Sequence, residues 1–169
     1  EEAKKKDALC AGTKIITIGG IVGAFYGNIS NAINTGNIKF TGNSNAANST
    51  VGGIVGYSTS AGTISNCQHY GNIQAIDMTK GTEYPNVGAI TGSIRVQTTG
   101  GGKARTAVVK NCQLGGAMLG EYNTEDESYK TTVLDASNYF NYIFGGGTTD
   151  WGESTDYDGC TLLEAKPTF

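Results

Sequence analysis

The side chains able to do chemistry in this 169-residue chain are few: four cysteines, one histidine, fifteen carboxylates, nine tyrosines and one tryptophan. Cys67 and Cys112 are each preceded by asparagine, in Ser65-Asn66-Cys67 and Lys110-Asn111-Cys112. If those segments stack, the two Cα atoms lie ~4.8 Å apart, inside the roughly 4.4–6.8 Å window of a disulfide. Stacked parallel thiols can also stay reduced and behave as small apolar residues, and a buried, reduced ladder is the favoured reading. The absence of a C-x-x-C pair argues against structural zinc and thioredoxin chemistry. Cys10 and Cys160 stand near opposite ends and are not expected to meet. His69 lies two residues from Cys67, but a Cys-His nucleophile needs both side chains within hydrogen-bond reach. Because Cys67 reads as a core residue, His69 is expected on the surface or in a groove.

Acid-base chemistry finds little support. Between residues 18 and 120 the acids are Asp77 and Glu83, both in one loop, whereas sugar-cleaving sites need clustered carboxylates. The tail is richer, with Asp150, Glu153, Asp156 and Asp158. Asp156 and Asp158 are the candidate ligands for a loose calcium site, although twelve positions counted from Asp156 end at Pro167 and the EF-hand spacing fails. Calcium is therefore the one cofactor the sequence suggests, and weakly. Tyr57, Tyr70, Tyr84 and Trp151 are the aromatics that could stack on sugar rings. The plainer reading packs Tyr57 at a corner and uses Trp151 to anchor a cap. Gly100-Gly101-Gly102-Lys103 lacks the spacing and the Ser/Thr of a phosphate-binding loop.

The elements that must position these residues are repeats. Ile18-Gly19-Gly20-Ile21-Val22-Gly23 returns as Val51-Gly52-Gly53-Ile54-Val55-Gly56 and, eroded, as Val87-Gly88-Ala89-Ile90-Thr91-Gly92. A second block follows each copy: Asn28-Ile29-Ser30-Asn31-Ala32, then Thr63-Ile64-Ser65-Asn66-Cys67, then Val108-Val109-Lys110-Asn111-Cys112. A third block closes the unit as Gly36-Asn37-Ile38, Gly71-Asn72-Ile73 and Gly116-Ala117-Met118. Each block is short, β-prone and bounded by Gly or Asn, with no 3.6-residue apolar period. One unit cannot bury its apolar face alone, so the units are expected to stack as coils.

Three short strands per unit predict an all-β, parallel β-helix (β-solenoid) of about three coils, right-handed by the general preference of parallel crossovers. Its side-chain ladders would be Ile21/Ile54/Ile90, Ile29/Ile64/Val109 and Ile38/Ile73/Met118. Asn31, Asn66 and Asn111 would stand at corners, where asparagine tolerates the left-handed conformation. The variable loops Lys39–Thr50, Gln74–Asn86 and Ser93–Thr106 are where a rigid stack would recognise ligands.

The tail breaks the pattern. Asp135 reads as the N-cap of a short helix, with Leu134 stapled to Tyr139 and Gly145-Gly146-Gly147 as its stop. Such a segment would cover the open edge of the last coil. The expected organisation is 1–17 as an N-terminal cap or the end of a preceding coil, 18–120 as three repeat units and 121–169 as an acidic, aromatic cap.

Composition agrees with an exported β-rich protein. Glycine numbers 26, about twice its ordinary share, and charged residues fall to 16% against a usual ~25%. Residues 1–120 carry ten basic and five acidic side chains, a balance of +5; residues 121–169 carry two and ten, a balance of −8. Neither half holds the dense basic patch with interleaved aromatics that nucleic acid requires. No apolar run approaches the ~20 residues of a membrane span. The chain begins at Glu1 without Met, which reads as a mature form or an excised fragment.

Gly20-Ile21-Val22-Gly23, Gly53-Ile54-Val55-Gly56, Thr63-Ile64-Ser65-Asn66-Cys67 and Gly71-Asn72-Ile73 resemble the Gly-Leu/Ile-x-Gly (GLUG-type) repeats of large bacterial surface and secreted proteins. The tail, from Asn138-Tyr139-Phe140 through Trp151 to Tyr157-Asp158-Gly159-Cys160, resembles the ends of surface proteins from Bacteroides-type gut bacteria. The resemblance implies a β-helix and an extracellular or cell-surface location, an outer-membrane lipoprotein included. It carries no catalytic residues, because the motif is structural. The expected function is a non-catalytic structural or adhesive module that contacts glycans or other surface ligands. The alternative is a domain of a polysaccharide-acting enzyme of lyase or glycosidase type.

Overall fold

The computed structural model describes residues 17–41, 50–58, 62–76, 86–94, 96–99, 102–105, 107–115, 118–123, 128–139, 143 and 158–163. A first stretch runs through β1 (Thr17–Gly19), β2 (Val22–Phe25), β3 (Ile29–Ser30), β4 (Ile33–Asn34) and β5 (Ile38–Thr41). A second repeats it as β6 (Thr50–Gly52), β7 (Val55–Ser58), β8 (Gly62–Ser65), β9 (Gln68–His69) and β10 (Ile73–Ile76). The third comprises β11 (Asn86–Gly88), β12 (Thr91–Ile94), the inserted strands β13 (Val96–Thr99) and β14 (Gly102–Arg105), then β15 (Ala107–Lys110), β16 (Gln113–Leu114) and β17 (Met118–Asn123). β18 (Ser128–Val133) and β19 (Thr161–Leu162) follow.

Equivalent strands pair in parallel, giving the sheets β1-β6-β11, β2-β7-β12, β3-β8-β15, β4-β9-β16-β19 and β5-β10-β17-β18. This is the stacked arrangement of a β-solenoid. Only β13–β14 and β17–β18 pair antiparallel among the described strands. The expected three strands per unit become five, because the Gly20-Ile21 corner splits the first block in two and a further short strand follows the Asn31-Ala32 corner.

The offset between paired residues of the second and third stretches is 36 at Val55 and Thr91 but 45 at Ile64 and Val109. Nine extra residues therefore enter between β12 and β15, and the β13–β14 hairpin takes them outside the parallel stack. One more enters after β16, so Leu119 pairs with Ile73 in place of the expected Met118.

Stacking supplies the core. Ile54 accepts amide hydrogen bonds from Ile21 and Val22 on one side, and its own N–H donates to Ile90 on the other. Ile54 is 0% exposed, whereas Ile21, in the same column but in the first stretch, is 46% exposed. Ile64, Ile73, Ile90, Val109 and Leu114 are fully buried too, each contributing roughly 1.5–3 kcal/mol. The Gly-Gly corner lets backbones close on one another: a Cβ on Gly53 would collide with the Ala89 carbonyl oxygen and lie 2.5 Å from the His69 ring. Asparagines add cross-links, for the Asn28 and Asn37 side chains accept hydrogen bonds from the Thr63 and Asn72 amides, each 2.9 Å long.

Over Asp135–Tyr139 the expected cap forms but no α-helix does: the chain turns and reaches 3-10 geometry at Tyr139, and residues 140–142 lie outside the described residues. Asp135 makes a single turn, its carbonyl accepting from the Asn138 and Tyr139 amides and its carboxylate from the Ser137 amide at 2.8 Å and hydroxyl at 2.6 Å. No α-helix occurs among the described residues. What the tail contributes is another rung. The Ile143 carbonyl accepts from the Ile90 and Thr91 amides as Ile90 does from Ile54 and Val55, and β19 adds in parallel to β16.

Candidate functional site

The corner that follows β3, β8 and β15 is where conformation and chemistry coincide. Asn31, Asn66 and Asn111 have φ of 57°, 53° and 52°, the left-handed region that asparagine tolerates and β-branched residues do not. Gly159 joins them at φ 68°, with the Asn111 amide donating to the Asp158 carbonyl at 2.8 Å. Asp158-Gly159-Cys160 thus lies on Lys110-Asn111-Cys112, which lies on Ser65-Asn66-Cys67. The cue was present in the sequence: Gly can replace Asn at a left-handed corner, so a D-G-C segment can continue an x-N-C series.

The residue after each corner points inward, so Ala32, Cys67, Cys112 and Cys160 form one column. The Gln68 amide donates to the Ala32 carbonyl, Gln113 to Cys67 and Thr161 to Cys112, at 2.8, 2.8 and 3.0 Å. Cys67, Cys112 and Cys160 are free thiols, and all three are buried. Each Sγ reaches the carbonyl two residues back: Ser65 at 3.2 Å, Lys110 at 3.5 Å and Asp158 at 4.0 Å. The Cys112 thiol also lies 3.6 Å from the Ile64 carbonyl of the rung below.

The three thiols titrate as a set. Cys112, between the other two, is pushed up, first by its hydrogen bonds with Cys160 and Cys67 and then by burial. Cys67 is drawn down to about 7, chiefly because Cys112 can donate S–H to its thiolate, with burial opposing. Cys160 is drawn down by the same donor, again against burial. The arrangement favours one thiolate at either end of the column over one at its centre.

The proposed ligand-binding residues are dispersed. Tyr57 is half-buried on β7, between Ala24 and Ser93 in register. Tyr70 does not offer an open face as expected: it is 5% exposed, packs over Gly115, and its hydroxyl donates to the Gln68 side chain at 3.1 Å. Tyr84, Trp151 and Asp156 lie outside the described residues, as do Cys10 and the acids Asp77, Glu83, Asp150 and Glu153. Asp158 is exposed at the fourth corner. Among the described residues no group of three or more His, Cys, Asp or Glu is placed to hold a metal ion.

His69 corrects another expectation. It is 0% exposed, not in a groove, because it stands in the column of Asn34 and Leu114 and packs against Gly53. Where the column begins, Asn34 bridges instead: its side chain donates to the Gly53 carbonyl and accepts from the Gly36 amide, both at 2.9 Å.

Residues 47–68 span β6, the Gly-Gly-Ile corner, β7, β8, the Asn66 corner and Cys67, and this stretch has a match among known families. The match is to the GLUG motif. In this chain the GLUG stretch is the middle layer of the stack, with paired backbone above and below it. Neither a curated protein nor a solved structure matches the chain. Among the described residues no helix is long and apolar enough to cross a membrane.

Proposed function

We propose that the chain is a non-catalytic module of an exported bacterial surface protein, a right-handed β-solenoid of about three coils that holds variable loops out toward glycans or other surface ligands. The observation that carries this reading is how the GLUG stretch uses its residues. Gly53 clears the Ala89 carbonyl, Ile54 fills the core and Asn66 turns the corner, so the recurring positions are spent on stacking. The described insertion in the third stretch, the β13–β14 hairpin, adds nine residues without disturbing the pairing of β15 with β8. A rigid scaffold with variable insertions is the arrangement in which recognition resides in the loops. Tyr57, Tyr84 and Trp151 remain the aromatics proposed to stack on sugar rings, and Asp156 and Asp158 the ligands of a loose calcium ion. Tyr70, being buried, is withdrawn from that set.

A glycan-array screen followed by reducing-sugar and unsaturated-product assays on every captured glycan tests the proposal. Binding without turnover is the expected result, with Tyr57→Ala or Trp151→Ala lowering it severalfold while the melting temperature holds. Turnover of a bound polysaccharide would overturn the non-catalytic reading in favour of the polysaccharide-acting enzyme.

A further inference from the structure

The thiol column has a property beyond packing. Three cysteines far apart in the chain are brought into successive rungs, with the Cys112 side chain in hydrogen-bond relation to both Cys67 and Cys160. Adjacent rungs place Cα atoms ~4.8 Å apart, within the roughly 4.4–6.8 Å span that a disulfide needs. Cys67 and Cys160 are two rungs apart, about 9.6 Å, and cannot bond directly. Below Cys67 the column continues as Ala32, which has no thiol to offer. Among the three described cysteines, only Cys112 therefore has a bonding partner on both sides. Cys160 is 9% exposed and the other two 0%, so a reagent meets the column at Cys160.

We propose that Cys67, Cys112 and Cys160 form an internal redox site that takes a single disulfide, always through Cys112, and thereby locks strand β19 onto the solenoid or lets it go. The oxidant is a disulfide, either a small molecule or a dithiol-oxidising protein. The Cys160 thiolate attacks one sulfur of that disulfide, expelling a thiolate and leaving a mixed disulfide on Cys160. The Cys112 thiol then attacks Cys160 Sγ, passing its proton to the departing sulfur: the mixed S–S bond breaks, the Cys112–Cys160 bond forms and the second external group leaves as a thiol. Two protein thiols have lost two electrons and two protons, and the external disulfide is reduced to two thiols. In this state the tail rung is covalently tied to β16.

Cys67 can next attack Cys112 Sγ from the opposite side. Cys160 departs as a thiolate and takes up the proton that Cys67 gave up, so the bond moves one rung without net electron transfer. A column favours this step, since the attacking and leaving thiols stand on opposite sides of the central one. The tail is then held only by its hydrogen bonds.

The test uses the full chain carrying Cys10→Ser, treated while folded with oxidised glutathione, then denatured, alkylated, digested and mapped by mass spectrometry. The expected product has one disulfide per chain, Cys112–Cys160 or Cys67–Cys112, and one remaining thiol. In the Cys112–Cys160 form the Thr161 amide should exchange with solvent about tenfold more slowly or beyond. Cys112→Ala, a residue the column already accommodates at Ala32, should yield no intrachain disulfide while keeping the melting transition. A Cys67–Cys160 bond, or three unmodified thiols after prolonged treatment of folded chain, would overturn the proposal. So would glutathione retained on Cys160 of the chain with Cys112 intact.

Discussion

The middle stretch, Thr50–Ile76, and the returning tail, 158–163, solve the same geometrical problem with very different amounts of sequence. The middle stretch carries the full repeat, is paired above and below, and encloses fully buried Val51, Ile54, Val55, Ile64, Cys67 and Ile73. The tail matches it at little more than a corner and a thiol, yet Gly159 adopts φ 68° and β19 pairs with β16. Adding a rung thus requires only a left-handed corner, one small inward side chain and an unpaired strand edge to receive it. The rest of the repeat secures the core.

The largest effect should come from placing a charge in the middle layer. Ile54→Asp buries an unpaired carboxylate, a cost of several kcal/mol that is comparable with the stability of the domain, so the variant should not fold. Ile21→Asp alters the same column where it is 46% exposed, and should leave a soluble chain with a melting temperature lowered by a few degrees. Equal loss in both variants, read by circular dichroism and thermal melting, would mean that the two layers do not differ as described.

A smaller effect separates the corners. Gly159→Ala forces an L-residue into the left-handed region at a cost of roughly 1–2 kcal/mol, and its methyl meets the Asn111 side chain. The loss should be local: amide exchange should quicken at Asn111 and Thr161, which bond across to Asp158 and Cys112, and stay unchanged at Ile54 and Val55. Asn66→Ala, of similar intrinsic cost, lies inside the fully paired stretch and should lower the global urea midpoint instead. Exchange that changes globally in both variants would erase the distinction between rung and core.

The smallest effect is electrostatic. The Asp135 carboxylate is held below its ordinary range by the Ser137 hydroxyl and amide, both of which donate to it. A carboxylate lowered in the folded state adds stability above its unfolded value of about 3.9, lost as pH falls through the lower folded value. The Ser137 amide should accordingly lose protection only on the acid side of that range, and Asp135→Asn should flatten the dependence. Amide chemical shifts followed from pH 6 downward give the readout.

Legibility followed the range of the interactions. The Gly-Ile-Val-Gly and Ile-Ser-Asn series were enough to infer stacking, because repeating units with one apolar face each have to cover one another. The pairings Ile29 with Ile64 and Ile64 with Val109 could be written down from the series alone, and the register has them. The left-handed corners were legible for a local reason, since asparagine is among the few side chains that accept that backbone. The cap read at Asp135 forms, its carboxylate accepting from the Ser137 amide, but a cap signal specifies only one turn, and the described residues after it reach 3-10 geometry at Tyr139 and no α-helix. Here that turn leads into a segment whose Ile143 carbonyl is taken by the Ile90 and Thr91 amides.

Other facts depended on which strand met which. Leu119 replaces Met118 opposite Ile73 because one residue was absorbed after β16, a shift no motif records. His69 is buried because Gly53 of its own stretch lies against it, and Tyr70 because the next rung places Gly115 over it; polar or amphipathic side chains carry no sequence mark of such a neighbour. Cys160 reaches Cys112 across 48 residues, a closure whose entropic cost rises only slowly with loop length and is offset by the hydrogen bonds of β19. The sequence by itself determined that rungs would form and how each would turn, since both follow from local backbone preference and repeated apolar positions. The tertiary structure alone decided which segment closed the stack and which thiols it aligned, because those depend on an edge that exists only after the other rungs have folded.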